Sequence, residues 1–259
     1  MRLRIPARRL VLAVTALCAV AAIAMTALVL RPAPSEPVAQ AEGPYAAGSG
    51  DGAHVLVLGD SWTYGQAATQ REHGYAYRLA AIGGWQVTVA GEPASGYLRA
   101  GVWGRTYGER IDLLDPALEP ELIVVQGSIN DRRLGADGYR SAVVDAWDAL
   151  ADRFPDAQIL VLGPAPQVLP VEKATARIDR DLAELAEARG WPYVSPIADE
   201  WITPDNYLDV IDTSAKGADH PSDAGHRFLA EQVAAAVRPL LSPATVEAVT
   251  EQPTPAIGG

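Results

Sequence analysis

The chain has 259 residues, 49% of them hydrophobic, and is therefore long enough to bury one large core. Its 32 acidic and 21 basic side chains give a formal net charge of −11, which argues against binding to nucleic-acid phosphates. The one cysteine, Cys18, lies in an N-terminal apolar segment, and the four histidines lack the spacing of metal ligands with cysteine partners. The sequence therefore predicts no disulfide, no metal site and no cofactor in the folded part of the chain.

The N-terminal residues have the pattern of an export segment. Four arginines within the first nine residues precede an uncharged apolar run over residues 10–30. A basic flank before an apolar segment is typical of a signal peptide, but an apolar run of about 20 residues can also span a bilayer. We predict that residues 1–31 are a signal peptide or a membrane anchor, and we favour the uncleaved anchor. In either case the rest of the chain is extracytoplasmic, as a membrane-anchored or a secreted protein.

Two further segments lack the patterns of a packed fold. Residues 32–53 are rich in Pro, Ala, Gly and Ser, which is typical of a linker. Residues 242–259 contain several prolines and end in two glycines, which predicts a flexible C-terminal tail. The segment between them, residues 54–241, is predicted to form one folded domain.

Strand and helix patterns alternate along this domain. Apolar runs typical of strands lie at 54–59, 85–90, 121–126, 157–163 and 192–197. Helical patterns, each with an apolar face at 3.6-residue spacing, cover about 139–154, 171–189 and 222–240. This alternation predicts a parallel sheet with helices on both of its faces.

A polar stretch follows each of the first three predicted strands, and another precedes the last predicted helix. These stretches are 59–61 (Gly-Asp-Ser), 90–97, 126–131 (Gln-Gly-Ser-Ile-Asn-Asp) and 219–226, which begins Asp-His-Pro. All four are expected at the carboxyl edge of the sheet, where open α/β sheets bind their ligands. A hydroxyl, a backbone amide, a carboxamide and an imidazole can converge there, and these are the parts of an acyl-transfer site.

The four stretches resemble the four signature blocks of the GDSL/SGNH hydrolases, a family of serine esterases, lipases and carbohydrate deacetylases. In chain order, the matching residues are Ser61 of Gly-Asp-Ser, Gly96 of Ser-Gly-Tyr, Asn130 of Gly-Ser-Ile-Asn-Asp and His220 of His-Pro. The resemblance covers about residues 54–240. It implies a flavodoxin-like α/β fold, a three-layer α/β/α sandwich with a central parallel five-stranded sheet.

The resemblance also implies a role for each matching residue. Ser61 is the expected catalytic nucleophile, and His220 is the expected base that takes its proton. The expected oxyanion hole consists of the backbone N–H groups of Ser61 and Gly96 and the side-chain amide of Asn130.

One position departs from the family pattern. The family usually has an Asp three residues before the histidine to orient its ring, but this position is Gly217 here. Asp212 and Asp219 are possible replacements. The alternative is a carbonyl of the same loop, and we prefer the carbonyl.

The sequence thus predicts an exported serine esterase whose substrate is a small-molecule, glycan or lipid acyl ester. Two alternatives stay open. One is a cell-surface glycan O-acyltransferase or deacetylase that uses the same residues, and the other is a non-catalytic binding module that retains the fold.

Overall fold

The computed structural model describes residues 43–49 and 52–241. The predicted N-terminal segment at 1–31, most of the predicted linker and the predicted tail at 242–259 lie outside the described residues. Within the two described ranges, none of the helices is long and apolar enough to cross a membrane.

The centre of the fold is a six-stranded sheet. Its strands are β1 (Tyr45–Ser49), β2 (His54–Gly59), β3 (Gln86–Gly91), β4 (Leu122–Gln126), β5 (Gln158–Leu162) and β6 (Tyr193–Val194). Their order across the sheet is β1-β3-β2-β4-β5-β6. Strands β2 to β6 are parallel to their neighbours, whereas β1 pairs antiparallel with β3.

The two central strands, β2 and β4, are apolar throughout because both faces of the sheet are covered. Residues 55–58 and 122–125 have no solvent-exposed surface. Val57 pairs in register with Val89 of β3 on one side and with Val124 of β4 on the other. A strand buried on both faces does not alternate between apolar and polar residues. This burial explains why uninterrupted apolar runs predicted these strands.

Helices form the two outer layers. They are α1 (Ser61–Tyr64), α2 (Tyr75–Gly83), α3 (Tyr107–Ile111), α4 (Tyr139–Arg153), α5 (Lys173–Arg189), α6 (Tyr207–Val210) and α7 (Asp223–Val237). Helices α2 and α7 pack with Val55 and Val57 on one face of the sheet. Helices α3, α4 and α5 pack with Leu56 and Leu58 on the other face. Successive residues of β2 therefore belong to two different hydrophobic cores, one on each face of the sheet. The sheet and the helices that cover its two faces form the three layers.

This architecture confirms the predicted α/β/α fold, but the sheet has six strands rather than five. The additional strand, β1, lies within residues 32–53, which the sequence predicted to be a linker. Its sequence, Tyr-Ala-Ala-Gly-Ser, is poor in the β-branched residues that favour strands. Tertiary contacts stabilise it instead. The ring centroid of Tyr45 is 5.5 Å from that of Tyr77, and Gly48 lies so close to Ala80 that a Cβ would collide with it.

A second, two-stranded sheet carries the predicted histidine. Its strands β7 (Ile211–Asp212) and β8 (His220–Pro221) pair antiparallel. The loop between them turns sharply, with φ values of +48° at Ala218 and +61° at Asp219, a conformation uncommon for residues other than glycine. Strand β8 leads directly into Ser222, whose side chain caps the N-terminus of α7.

Candidate active site

The candidate nucleophile lies where the central strand β2 ends. Ser61 is the first residue of α1, and it is 4% exposed. Asp60 caps this helix, since its carboxylate accepts a hydrogen bond from the Trp62 N–H at 2.9 Å. The cap fixes the turn, and the turn places Ser61 at the carboxyl edge of the sheet.

A buried polar network surrounds this turn. The side-chain oxygen of Gln126, at the end of β4, accepts from the Asp60 N–H and from the Thr63 hydroxyl, both at 3.2 Å. The Thr63 hydroxyl is also 2.7 Å from the hydroxyl of Tyr75 on α2. A Cβ at Gly59 would collide with Thr63 and Gln126, so this position requires glycine. The network joins β2, α1, β4 and α2 around the nucleophile.

Burial also shifts the pKa of Asp60. Its carboxyl group is fully buried, and burial raises its pKa to about 7 although hydrogen bonds from Trp62 and Gln126 and the nearby charge of Arg110 oppose the shift. Burial therefore favours the protonated form of Asp60 far more than it is favoured for an aspartate in water.

His220 contacts the nucleophile directly. Its Nε2 is 2.9 Å from Ser61 Oγ, and its Nδ1 is 2.9 Å from the Ala218 carbonyl oxygen and 3.1 Å from that of Gly217. Because a carbonyl can only accept, we assign the proton to Nδ1, which leaves Nε2 free to accept the Ser61 proton. Burial lowers the pKa of His220, against the opposing effects of the two carbonyls and the charge of Asp219. The ring is therefore a neutral base at neutral pH.

In the described part of the chain, neither candidate aspartate hydrogen-bonds to the His220 ring. The Asp212 carboxylate accepts from the Ser214 N–H at 2.9 Å, and Gly217 packs so closely on Asp212 that a Cβ would collide with it. Asp219 donates its N–H to the Asp212 carbonyl at 3.1 Å and acts on His220 through charge alone. Of the alternatives that the sequence left open, the loop carbonyls hold the ring.

Asn130 comes from the loop after β4. It lies on a 3₁₀ helix, Ile129–Arg133, and its Nδ2 donates to the Ser95 carbonyl at 2.9 Å. Nδ2 is also 3.5 Å from Asp60 Oδ2, which is at the limit of a hydrogen bond. The bond to Ser95 fixes the amide, and Asn130 lines the same groove as Ser61 and His220.

Gly96 does not have the position that the sequence predicted. Its N–H donates to the Arg99 carbonyl at 2.8 Å, so the prediction that it belongs to the oxyanion hole is wrong. A Cβ at Gly96 would collide with the Asp131 carboxylate, and this close approach explains the glycine. Ala94 lines the site instead, with a φ of +64°. Sequence reasoning missed Ala94 because an alanine gives no signal of a positive φ.

Ser61 and His220 open onto one groove of about 390 Å³. Its walls come from five segments of the chain: 61–66, 93–102, 130–133, 167–172 and 218–220. Among residues 43–49 and 52–241, no group of His, Cys, Asp and Glu side chains is arranged to hold a metal ion.

A serine in contact with a histidine at the carboxyl edge of a parallel sheet defines the class of α/β hydrolytic enzymes that act on acyl groups. The family can be stated as well. The profile of the GDSL-like lipase/acylhydrolase family matches residues 57–228, which is well over half of the chain. The protein belongs to this family and is a hydrolase of ester bonds.

Individual relatives agree with this assignment. The chain is 31% identical over 199 residues to a GDSL lipase of Mycobacterium tuberculosis, a match that covers 73% of this chain and 81% of that lipase. A proposed arylesterase from Agrobacterium tumefaciens matches with a TM-score of 0.55 and 20% identity, over 73% of this chain and 100% of that one. A carbohydrate acetylesterase family member from Sinorhizobium meliloti matches with a TM-score of 0.55 and 18% identity, over 73% and 99% of the two chains. These two structural likenesses show a shared fold.

Proposed function

We propose that the protein is an exported serine esterase that hydrolyses acyl esters through an acyl-enzyme on Ser61. The observation that carries this proposal is the 2.9 Å distance between Ser61 Oγ and His220 Nε2, on a ring whose Nδ1 faces backbone carbonyls. Nucleophile and base are within hydrogen-bond distance, and the ring has the tautomer that the reaction needs.

Acylation starts with the Ser61 hydroxyl. His220 Nε2 takes the hydroxyl proton as Oγ attacks the ester carbonyl carbon, and a tetrahedral oxyanion forms. When the intermediate collapses, the bond to the alcohol oxygen breaks, and the imidazolium gives the proton to the leaving alcohol. Ser61 keeps the acyl group.

Deacylation repeats these steps with water. His220 takes a proton from a water molecule, whose oxygen attacks the acyl carbon. The ester bond to Ser61 then breaks, the proton returns to Oγ, and the carboxylic acid leaves. The Gly217 and Ala218 carbonyls stabilise the transient imidazolium through their dipoles rather than through a full negative charge.

We assign the oxyanion hole to three donors, with Ala94 in place of Gly96. In residues 43–49 and 52–241, the N–H groups of Ser61 and Ala94 have no acceptor, and both residues line the groove. The Asn130 amide supplies the third donor from the same groove. Donors that are fixed before the reaction stabilise the oxyanion without reorganisation.

Export is supported by the N-terminal sequence alone. The basic flank and apolar run of residues 1–31 favour an extracytoplasmic enzyme. Two substrate types have support. The fold shared with a carbohydrate acetylesterase family member favours acetyl groups on glycans, and the identity to a GDSL lipase favours short lipid esters. A glycan O-acyltransferase would use the same acyl-enzyme, with a sugar hydroxyl in place of water.

The proposal is tested with a fluorophosphonate probe and 4-nitrophenyl acetate on the full chain. We expect the probe to label the unmodified protein, and Ser61→Ala to lose both labelling and hydrolysis. Ser141→Ala removes an exposed hydroxyl on α4 and is the matched control, which should keep both. Labelling of Ser61→Ala, or turnover within tenfold of the unmodified protein, would contradict the proposal. An unlabelled protein without turnover would favour the binding module.

A further inference from the structure

Three arginines line the catalytic groove, and they differ in how their charge is balanced. Arg132 is fully engaged, because it donates to Glu172 at 2.7 Å, to Gln167 at 2.8 Å and to a backbone carbonyl at 3.0 Å. Within the ranges that the structure describes, the guanidinium groups of Arg99 and Arg133 have neither an ion pair nor a hydrogen bond. Two guanidinium groups of the groove are therefore unpaired.

The backbone of Arg99 is fixed by its neighbours. The buried Asp131 carboxylate accepts the Arg99 N–H at 2.9 Å, and the Gly96 N–H donates to the Arg99 carbonyl at 2.8 Å. Arg99 is half-buried, whereas Arg133 is exposed. An unpaired arginine on an open surface needs no explanation, since water solvates it. Arg99 instead is half-buried as a residue and stands on a fixed backbone in the catalytic groove, and its guanidinium leaves several N–H donors for a bound molecule.

The groove differs in charge from the chain as a whole. Its carboxylates are Glu172, which pairs with Arg132, and Asp219 beside His220. Its three arginines therefore exceed its two carboxylates by one positive charge, whereas the whole chain has a net charge of −11. An anionic substrate is repelled by the rest of such a protein, and a locally positive groove offsets that repulsion.

We infer that the groove binds esters that carry an anionic group, a carboxylate or a phosphate, close to the scissile ester bond. Arg99 is the main ligand and Arg133 the outer one. The planar guanidinium matches both kinds of anion, because it can donate two parallel hydrogen bonds to their oxygens. The inference rests on the proposed esterase function of the same groove, and it adds the substrate class.

Three aryl acetates test this inference on the full chain. 4-Acetoxybenzoate carries a carboxylate, 4-acetoxyphenyl phosphate carries a phosphate, and 4-acetoxybenzamide is neutral. The measured quantity is the ratio of kcat/KM for each anionic ester to kcat/KM for the neutral one, at low ionic strength. Dividing each variant's ratio by that of the unmodified protein cancels the different intrinsic reactivities of the three esters.

Arg99→Gln should lower this ratio about three- to tenfold, and Arg133→Gln only about twofold, because the exposed charge is more strongly screened. Added salt should reduce both effects. The matched control is Arg180→Gln, which alters an exposed arginine of α5 outside the groove and should leave the ratio unchanged. A larger fall for the carboxylate ester points to an acidic glycan, and a larger fall for the phosphate ester points to a phosphorylated or lipid-headgroup substrate.

The failure of this inference differs from the failure of the esterase proposal. If all three esters are hydrolysed in a Ser61-dependent way but neither arginine variant changes the ratio, the anionic substrate class is wrong and the esterase stands. If no ester is hydrolysed above the rate of Ser61→Ala, the esterase proposal fails, and this inference fails with it.

Discussion

The nucleophile and the base of the candidate site are stabilised in different ways. Ser61 follows the central strand of the sheet. A network of buried side chains surrounds its turn and joins Thr63 of the same helix to Gln126 of β4 and Tyr75 of α2. His220 begins strand β8 of a small two-stranded sheet, and backbone carbonyls of the loop before this strand hold its ring. The nucleophile thus depends on buried side chains, whereas the base depends on the path of the main chain.

This difference explains how the site can lack the usual aspartate. The role of that carboxylate is to fix the tautomer of the histidine, and an acceptor of any kind at Nδ1 can do so. The positive φ values of Ala218 and Asp219 bend the loop so that the Gly217 and Ala218 carbonyls reach Nδ1. Substitution of an aspartate side chain does not remove a backbone carbonyl. The orientation of His220 should therefore tolerate such substitutions, whereas the turn around Ser61 depends on side chains that a mutation can remove.

The largest effect is expected at the base itself. His220→Ala removes the proton acceptor of both half-reactions and should lower kcat about 10⁴-fold or more, as loss of a triad member does. The measurement is kcat with 4-nitrophenyl acetate, with circular dichroism as the check of folding. Activity within tenfold of the unmodified protein in a folded variant would show that another group is the base.

A smaller effect is expected at the oxyanion hole. Asn130→Ala removes one of three proposed donors and should lower kcat about 10²- to 10³-fold. KM should change little, because the negative charge develops in the transition state. A change confined to KM would make Asn130 a substrate-binding residue instead.

The smallest effect separates the carbonyl-held base from a conventional triad. Asp212→Asn and Asp219→Asn keep the size of each side chain, and each should lower kcat about tenfold or less, against about 10⁴-fold for loss of a triad carboxylate. The two variants serve as controls for each other, since Asp219 lines the groove and Asp212 does not. A collapse of kcat in either folded variant would contradict the orientation of His220 by carbonyls.

The sequence predicted those features of the fold that depend on local pattern. Strands β2 and β4 were visible because burial on both faces leaves a continuous apolar run. Ser61 was visible because its motif follows such a run, and His220 because its motif precedes an amphipathic helix. Strand β1 was not visible, because it lacks the β-branched residues typical of strands and is stabilised by pairing with β3 and by tertiary contacts.

The error at Gly96 has a different cause. A glycine can serve close approach by a substrate or by another part of the protein, and the two cannot be distinguished without the fold. Here the close neighbour is the Asp131 carboxylate, and Ala94 takes the place at the groove. The sequence also could not predict that Arg99 is unpaired, because ion pairs between residues that are distant in sequence follow no local pattern.

Strand β1 also decides where a truncated form of the enzyme can begin. A form that starts at residue 54 lacks the strand that pairs with residues 86–89 of β3 and the Tyr45 ring that packs against Tyr77. The edge of β3 then presents open backbone donors and acceptors, and such an edge can pair with that of another molecule and cause aggregation. A sample for solution work therefore has to begin at or before residue 43, although the apolar pattern of the folded domain starts more than ten residues later.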